Sequence, residues 1–350
     1  MGIILLIGVI FVFLDETEFW KPKGRIIYVK YIDSTMALYV MDPDGSQMDR
    51  LTGDSVRVAS PVWSPDGKEI AFGCSSIQGN DLCVGKVVPW KSGTDIIGPL
   101  ESVLLFDGLH IHSTEYELCE DPIKAVSWAS DQQRLAFVCS GPREERSGYY
   151  DLICITDRDG TSDCFPMTKL YDDLAAYSLE VRWIAWSPVE DVLAASLLIR
   201  PIDGPNRTEI YLMDLSGQSL QFLASGWNAT WAADGKRIYY FSDEGLSAEE
   251  DSGLSGIAII DKNGENKHIV YHYPDLGTKG TPGSVFRHSK IDFSQESVFA
   301  ISPDERYIAT NAFRGVIEKS AIYLIDLKTK KIRMLTVPGD GQVFTPDWSP

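Results

Sequence analysis

Basic residues are scarce in this chain of 350 residues: 32 Lys and Arg stand against 50 Asp and Glu, a formal net charge of −18. Binding to a phosphate backbone rests on basic patches, so DNA and RNA are not expected as partners. The acidic balance suits solubility or a cationic partner. No apolar run reaches the roughly 20 residues that cross a bilayer. The run GIILLIGVIFVFL at residues 2–14 stops at Asp15, Glu16 and Glu18. The GxSxG elbow that presents a hydrolase serine is missing. No glycine group has the spacing of a phosphate loop. No twelve-residue EF-hand ligand set is present, and no CxxC or Cys/His group has zinc spacing. No Pro/Ser-rich linker or charge block divides the chain, and its 44% hydrophobic content supports one sizeable domain.

What the chain does contain is a repeat. PVWSPDGKEIAF at residues 61–72 returns as VSWASDQQRLAF at 126–137, IAWSPVEDVLAA at 184–195, ATWAADGKRIYY at 229–240 and FAISPDERYIAT at 299–310. A half copy, PDWSP, occupies residues 346–350. Each copy reads as a short strand, a tight turn and a second strand rich in β-branched and aromatic residues. A third strand follows, as in LYVMDPDG at 38–45 and IYLMDLSG at 210–217, where Asp with Gly three residues later signals another turn. A fourth strand leaves that turn, as in KIRMLT at 331–336. Four antiparallel strands per unit is the anatomy of a propeller blade.

GRIIYVKY at residues 24–31 reads as a second strand lacking a first, and residues 346–350 as a first strand lacking a second. Joined, they complete one blade and leave no free sheet edge. Inner strands at Trp63, Trp128, Trp186, Trp231, Ile301 and Trp348 count six blades. The expected fold is therefore all-β: a six-bladed β-propeller of four-stranded antiparallel blades over residues 24–350. Its ring is closed by the C-terminal strand joining the N-terminal blade. The repeated Trp is expected to pack between neighbouring blades. Residues 1–23 read as an apolar signal or anchor-like segment with a linker, although a basic n-region and a small-residue cleavage site are missing.

WSPDGKEIAF, followed by a third strand like LYVMDPDG and a fourth ending DRLT, resembles the TolB-like β-propeller repeats over roughly residues 24–350. The resemblance implies the fold. It is less specific for function, because similar blades occur in periplasmic TolB-like binding proteins, in prolyl-oligopeptidase-type peptidases and in some pectin-degrading lyases.

Six cysteines are present, an even number. In the aligned repeats Cys74 and Cys139 end second strands, while Cys83 and Cys154 sit in third strands. The expected disulfides are Cys74–Cys83 and Cys139–Cys154, leaving Cys119 for Cys164. Such pairing points to an oxidising, extracytoplasmic location: periplasmic, secreted or anchored outside the cytoplasm.

Loop lengths separate the two faces of the ring. Turns between first and second strands, and between third and fourth, are tight except at residues 88–100. Long connections fall on the other face, at residues 108–122, 141–148, 172–181, 200–208, 243–255 and 274–295. Loops on a rigid scaffold are where binding residues concentrate. The candidate binding face accordingly carries His110, His112, Arg143, Tyr177, Arg200, Glu249, Glu250, Asp251, Tyr273, Arg287 and His288. This mixture suits a protein or peptide partner, with no cofactor. A monomer is expected, with a membrane tether through residues 2–14. The function expected is a non-catalytic binding or scaffold module. The alternatives are a metal-dependent polysaccharide lyase-like enzyme using His110, His112 and His288, and the propeller part of a truncated peptidase-type chain.

Overall fold

The structure, a computed structural model, describes residues 22–54, 57–76, 79–87, 103–105, 123–141, 150–158, 160, 162–170, 176–242, 256–272, 291–292, 297–314, 320–337 and 341–350. The strands fall into six sheets. Blade one contains β1 (Ile26–Ile32), β2 (Thr35–Met41) and β3 (Asp49–Arg50). Blade two contains β4 (Arg57–Trp63), β5 (Glu69–Ser76), β6 (Gly79–Lys86) and β7 (Val103–Leu105). Blade three contains β8 (Ala125–Trp128), β9 (Arg134–Ser140), β10 (Asp151–Asp157) and β11 (Ser162–Pro166). Blade four contains β12 (Ala176–Trp186), β13 (Val192–Pro201), β14 (Arg207–Asp214) and β15 (Leu220–Ser225). Blade five contains β16 (Trp227–Trp231), β17 (Arg237–Ser242), β18 (Gly256–Asp261) and β19 (His268–His272). Blade six splits its inner strand into β20 (Ile291–Asp292) and β21 (Phe299–Ile301), followed by β22 (Tyr307–Arg314), β23 (Ser320–Asp326) and β24 (Ile332–Met334). The last strand, β25 (Gln342–Trp348), returns to blade one and pairs antiparallel with β1, Ile26 opposite Trp348. The expected closure is therefore observed. Each inner strand touches the next, from β25 through β4, β8, β12, β16 and β21 back to β25.

The core is distributed over the six interfaces between blades. Ile26 and Tyr28 of β1 pack toward blade six, while Ile27 and Val29 pack toward blade two. In β17, Ile238 and Tyr240 face blade four while Tyr239 and Phe241 face blade six. Side chains alternate across a strand, and both faces of each sheet are covered. That is why the second strands are apolar throughout instead of alternating with polar residues. The repeated tryptophans do the packing expected of them. Trp63, Trp128, Trp186, Trp231 and Trp348 are all buried, each inside the cluster shared with the preceding blade. Their indole N–H groups add cross-blade bonds: Trp231 donates to the Ala185 carbonyl at 3.0 Å and Trp128 to Val62 at 3.4 Å.

The tight turns follow from their residue types. Ser64 Oγ donates to Asp66 Oδ1 at 2.8 Å and accepts the Glu69 N–H at 2.9 Å. Asp66 Oδ1 also accepts the Lys68 N–H at 3.1 Å, and Gly67 supplies the left-handed φ of 69°. Ser302 and Asp304 repeat the arrangement, with Glu305 at φ 54° in the glycine position.

The disulfides are partly as expected. Cys74 bonds Cys83 across β5 and β6. Cys154, however, bonds Cys164 and not Cys139. The reason is register: Cys154 stands directly opposite Cys164 in β11, at a Cα separation of 4.1 Å. On its other side Cys154 faces Phe137, and Cys139 faces Leu152, one diagonal step away. In blade two the same diagonal is used because the fourth strand offers Leu105, not a cysteine, opposite Cys83. Cys139 is also disulfide-bonded, and Cys119 lies outside the described residues. The expected pairs Cys139–Cys154 and Cys119–Cys164 are thus both corrected.

Candidate functional site: the axial channel

The six inner strands surround a cavity of about 370 Å³ on the ring axis. It reaches the tight-turn face at Pro65, Ser130 and Pro188. The residue just before the repeated Trp points into it from every blade: Val62, Ser127, Ala185, Thr230, Ala300 and Asp347. Five of the six side chains are neutral and small or medium-sized. Trp183, half-exposed, adds an aromatic wall from β12. Its placement follows a β-bulge between Val181 and Trp183, which turns the strand and re-aims the side chain. Equivalent bulges interrupt β4 and β16, where Ser60 (φ 47°) and Asn228 (φ 55°) take the left-handed conformation.

These bulged positions tie neighbouring blades together near the channel. Ser60 Oγ donates to the Lys124 carbonyl at 2.5 Å, and Asn228 Oδ1 accepts the Phe299 N–H at 2.7 Å. Asn228 is buried, and its Oδ1 is the atom that makes this tie. Asp151 makes a comparable tie. It accepts the Val181 N–H at 2.7 Å and pairs with Lys124 Nζ at 2.7 Å. Burial pushes its carboxyl up, and Lys124 opposes that shift.

Among the described residues, Asp347 is the only charged side chain lining the cavity. Its Oδ2 accepts the Trp63 N–H at 2.7 Å, linking blade one to blade two. Ser127 performs the same task between blades three and four, two interfaces along, accepting the Trp186 N–H at 2.8 Å. Desolvation pushes the Asp347 carboxyl up to about 7, against the pull of the Trp63 and Trp348 main chain. Although close-packed protein surrounds the group, Asp347 keeps an intermediate exposure because it opens onto the channel.

Farther out on the same face, ion pairs bridge the blades. Arg134 forms a fork with Asp191 (2.8 and 3.1 Å) and lies over the Trp186 ring at 5.1 Å. Arg158 reaches Glu69 at 2.5 Å and covers Trp128 at 5.2 Å. Lys262 pairs with Glu190 at 2.6 Å, and Arg237 with Glu305 at 2.9 Å.

Of the residues expected on the loop-rich face, two fall within strands. Arg200 lies in β13 opposite Ser178 and pairs with Glu180 at 3.1 Å. Tyr177 lies in β12. Both were assigned to long connections, but β12 and β13 extend into those stretches, leaving only residues 202–206 between β13 and β14. His110, His112, Arg143, Glu249, Glu250, Asp251, Tyr273, Arg287 and His288 lie outside the described residues. Sequence reasoning missed Asp347 and Trp183. The signal for Asp347 was present in the aligned repeats, where the column before Trp holds one charge among six residues.

No protein-family model and no curated protein matches the chain. Among solved structures, TolB from Acinetobacter baumannii superposes with a TM-score of 0.59 at 19% identity, over 95% of this chain and 68% of that one. A putative TolB from Agrobacterium tumefaciens gives 0.51 at 14% identity, over 93% of this chain and 99% of that one. A chain of a nidogen/laminin complex gives 0.52 at 8% identity, over 94% of this chain and 99% of that one. At these identities the likeness is one of fold, and this chain has the TolB-like six-bladed β-propeller fold.

Proposed function

We propose that the chain is a non-catalytic binding module that works outside the cytoplasm and recognises a protein or peptide, a segment of which enters the axial channel. The observation that carries this reading is the channel itself. It is a preformed concavity of about 370 Å³ whose described walls are mostly apolar and aromatic, with the hydroxyls of Ser127, Ser130 and Thr230 and one charged group, Asp347. That combination suits a binding site. Disulfides in two blades support an oxidising compartment. The shape shared with a chain of a nidogen/laminin complex gives a precedent for this architecture within a protein assembly. Residues 2–14 would direct or tether the chain, and His110, His112, Arg143, Glu249, Glu250, Asp251, Tyr273, Arg287 and His288 would extend the contact on the loop-rich face.

The test uses a displayed random-peptide library selected on the full chain, followed by calorimetry of the selected peptides. Saturable binders are expected. Reversing the charge of Glu249, Glu250 and Asp251 is expected to weaken the basic ones. Changing His110, His112 and His288 to Ala is expected to leave binding intact. If the wild type instead cleaves an acidic polysaccharide and the three His changes remove that activity, the binding-module reading is wrong.

A further inference from the structure

Carboxylates at the blade interfaces of this protein come with cations. Glu69 has Arg158, Asp191 has Arg134, Glu190 has Lys262, Glu305 has Arg237, and buried Asp151 has Lys124. Among the described residues, Asp347 is the exception. It lies at the interface of blades one and two, and what it accepts comes from the main chain of Trp63 and Trp348 rather than from a cation. Among the described residues that line the cavity from β4, β8, β12, β16 and β21, none is basic and none is ionisable. A carboxylate is not required for the structural task. Ser127 accepts the equivalent Trp186 N–H with a neutral hydroxyl. The charge at residue 347 therefore has no use in the fold that a serine would not serve, and it carries a desolvation penalty.

We infer that the axial cavity is a subsite for one cationic side chain, a Lys or Arg carried by the bound segment, with Asp347 as its counter-ion. The inference rests on the binding-module reading and names the chemistry of what enters. Three features of the cavity fit such a group. Its walls are mostly apolar, which suits the aliphatic stem of a long basic side chain. Trp183 offers a partly exposed ring, and the indoles of Trp128 and Trp186, which also line the cavity, already lie under guanidinium groups of this protein. The volume of about 370 Å³ lies near the small end of ligand pockets, room for a side chain rather than a folded element. A net charge of −18 draws cationic segments toward the protein at long range. The raised carboxyl of Asp347 is what an unneutralised buried acid shows. A bound cation would hold it ionised, so binding and proton release are coupled.

The experiment compares two probes by calorimetry: Nα-acetyl-lysinamide and its neutral analogue Nα-acetyl-norleucinamide. The lysine probe is expected to bind at least about tenfold more tightly above pH 7, with the preference shrinking below about pH 7 as protons compete for Asp347. Asp347→Asn, which keeps an acceptor for the Trp63 N–H, is expected to abolish both the preference and its pH dependence. Near-UV circular dichroism verifies its fold. Trp183→Leu is expected to weaken the lysine probe while leaving the pH dependence in place. Equal binding of the two probes, an undiminished preference in Asp347→Asn, or no saturable binding of the lysine probe overturns the inference. A library-selected peptide that binds Asp347→Asn with full affinity also defeats the subsite, yet it leaves the binding-module reading standing. A failure to select any peptide counts against that reading alone.

Discussion

Asp347 and the turn aspartates load the protein with opposite pH dependence. Burial tends to raise Asp66, Asp131 and Asp234, but the hydrogen bonds they accept from their own turns outweigh it and hold all three below the ordinary value. Their contribution to stability is present above the unfolded pKa and is lost as pH falls through the folded one. Asp347 has the reverse sign. Its folded carboxyl is pushed from 3.8 to about 7, so the folded state binds its proton more tightly. The stability it contributes is complete below the unfolded value and is lost as pH rises toward 7. Asp347→Asn is therefore expected to flatten the pH profile in that window. The difference between wild type and variant should change by at most about 1.4 kcal/mol per pH unit, less where the channel admits water. Denaturant melts at closely spaced pH values measure it, and parallel profiles for the two proteins would show that the group titrates normally. The sequence made these turn aspartates legible, because the Asp in SPDG, ASDQ and AADG, at the same place after each repeated Trp, has a local cause. It hid the channel carboxylate, because that environment is made by residues from six distant strands.

At the scale of strands, the short connection from blade four to blade five depends on one glycine. Gly226 is the single residue between β15 and β16, with φ 139°, and its N–H donates to the Thr208 carbonyl at 2.9 Å. A Cβ there would fall on the Phe241 carbonyl oxygen and against the Tyr240 ring. Gly226→Ala is expected to destabilise by more than about 2 kcal/mol through combined backbone strain and clash, read as a lowered denaturation midpoint with an unchanged slope. The disulfide between β10 and β11 closes a loop of sequence separation 10. Replacing Cys154 and Cys164 with Ala is expected to cost up to about 3 kcal/mol. A non-reducing proteolytic digest should yield the Cys154–Cys164 linked peptide, and recovering Cys154 linked to Cys139 would contradict the register. Strand periodicity exposed the blades in the sequence. The alignment also placed Cys154 and Cys139 on neighbouring strands, but neighbouring strands do not fix which residues stand opposite. That depends on the β-hairpin register, which here sets Cys164 of β11 directly opposite Cys154 while Cys139 stands one diagonal step away.

For the molecule as a whole, the β1–β25 pairing converts a row of sheets into a ring. Arg25 N–H donates to Ser349 Oγ at 2.7 Å, and Ser349 N–H returns a bond to the Arg25 carbonyl at 2.8 Å. Trp348 fills the interface between blades six and one. Deleting β25 is expected to uncover that interface and the edge of β1, and to replace a single cooperative melt with a broad, low-temperature one. An unchanged melting curve by calorimetry would show that the ring does not depend on its closing strand. The same pairing also has a consequence in time. The two partners are 324 residues apart in sequence, a separation whose entropic cost grows only with the logarithm of loop length. Contacts so distant nonetheless form slowly. During synthesis the first blade waits, three strands made and its inner edge bare, until the rest of the ring has emerged. In that interval β1 is an adhesive edge for any other unfinished chain. A lone folding molecule then differs from a crowded one less in its final stability than in which partner reaches β1 first.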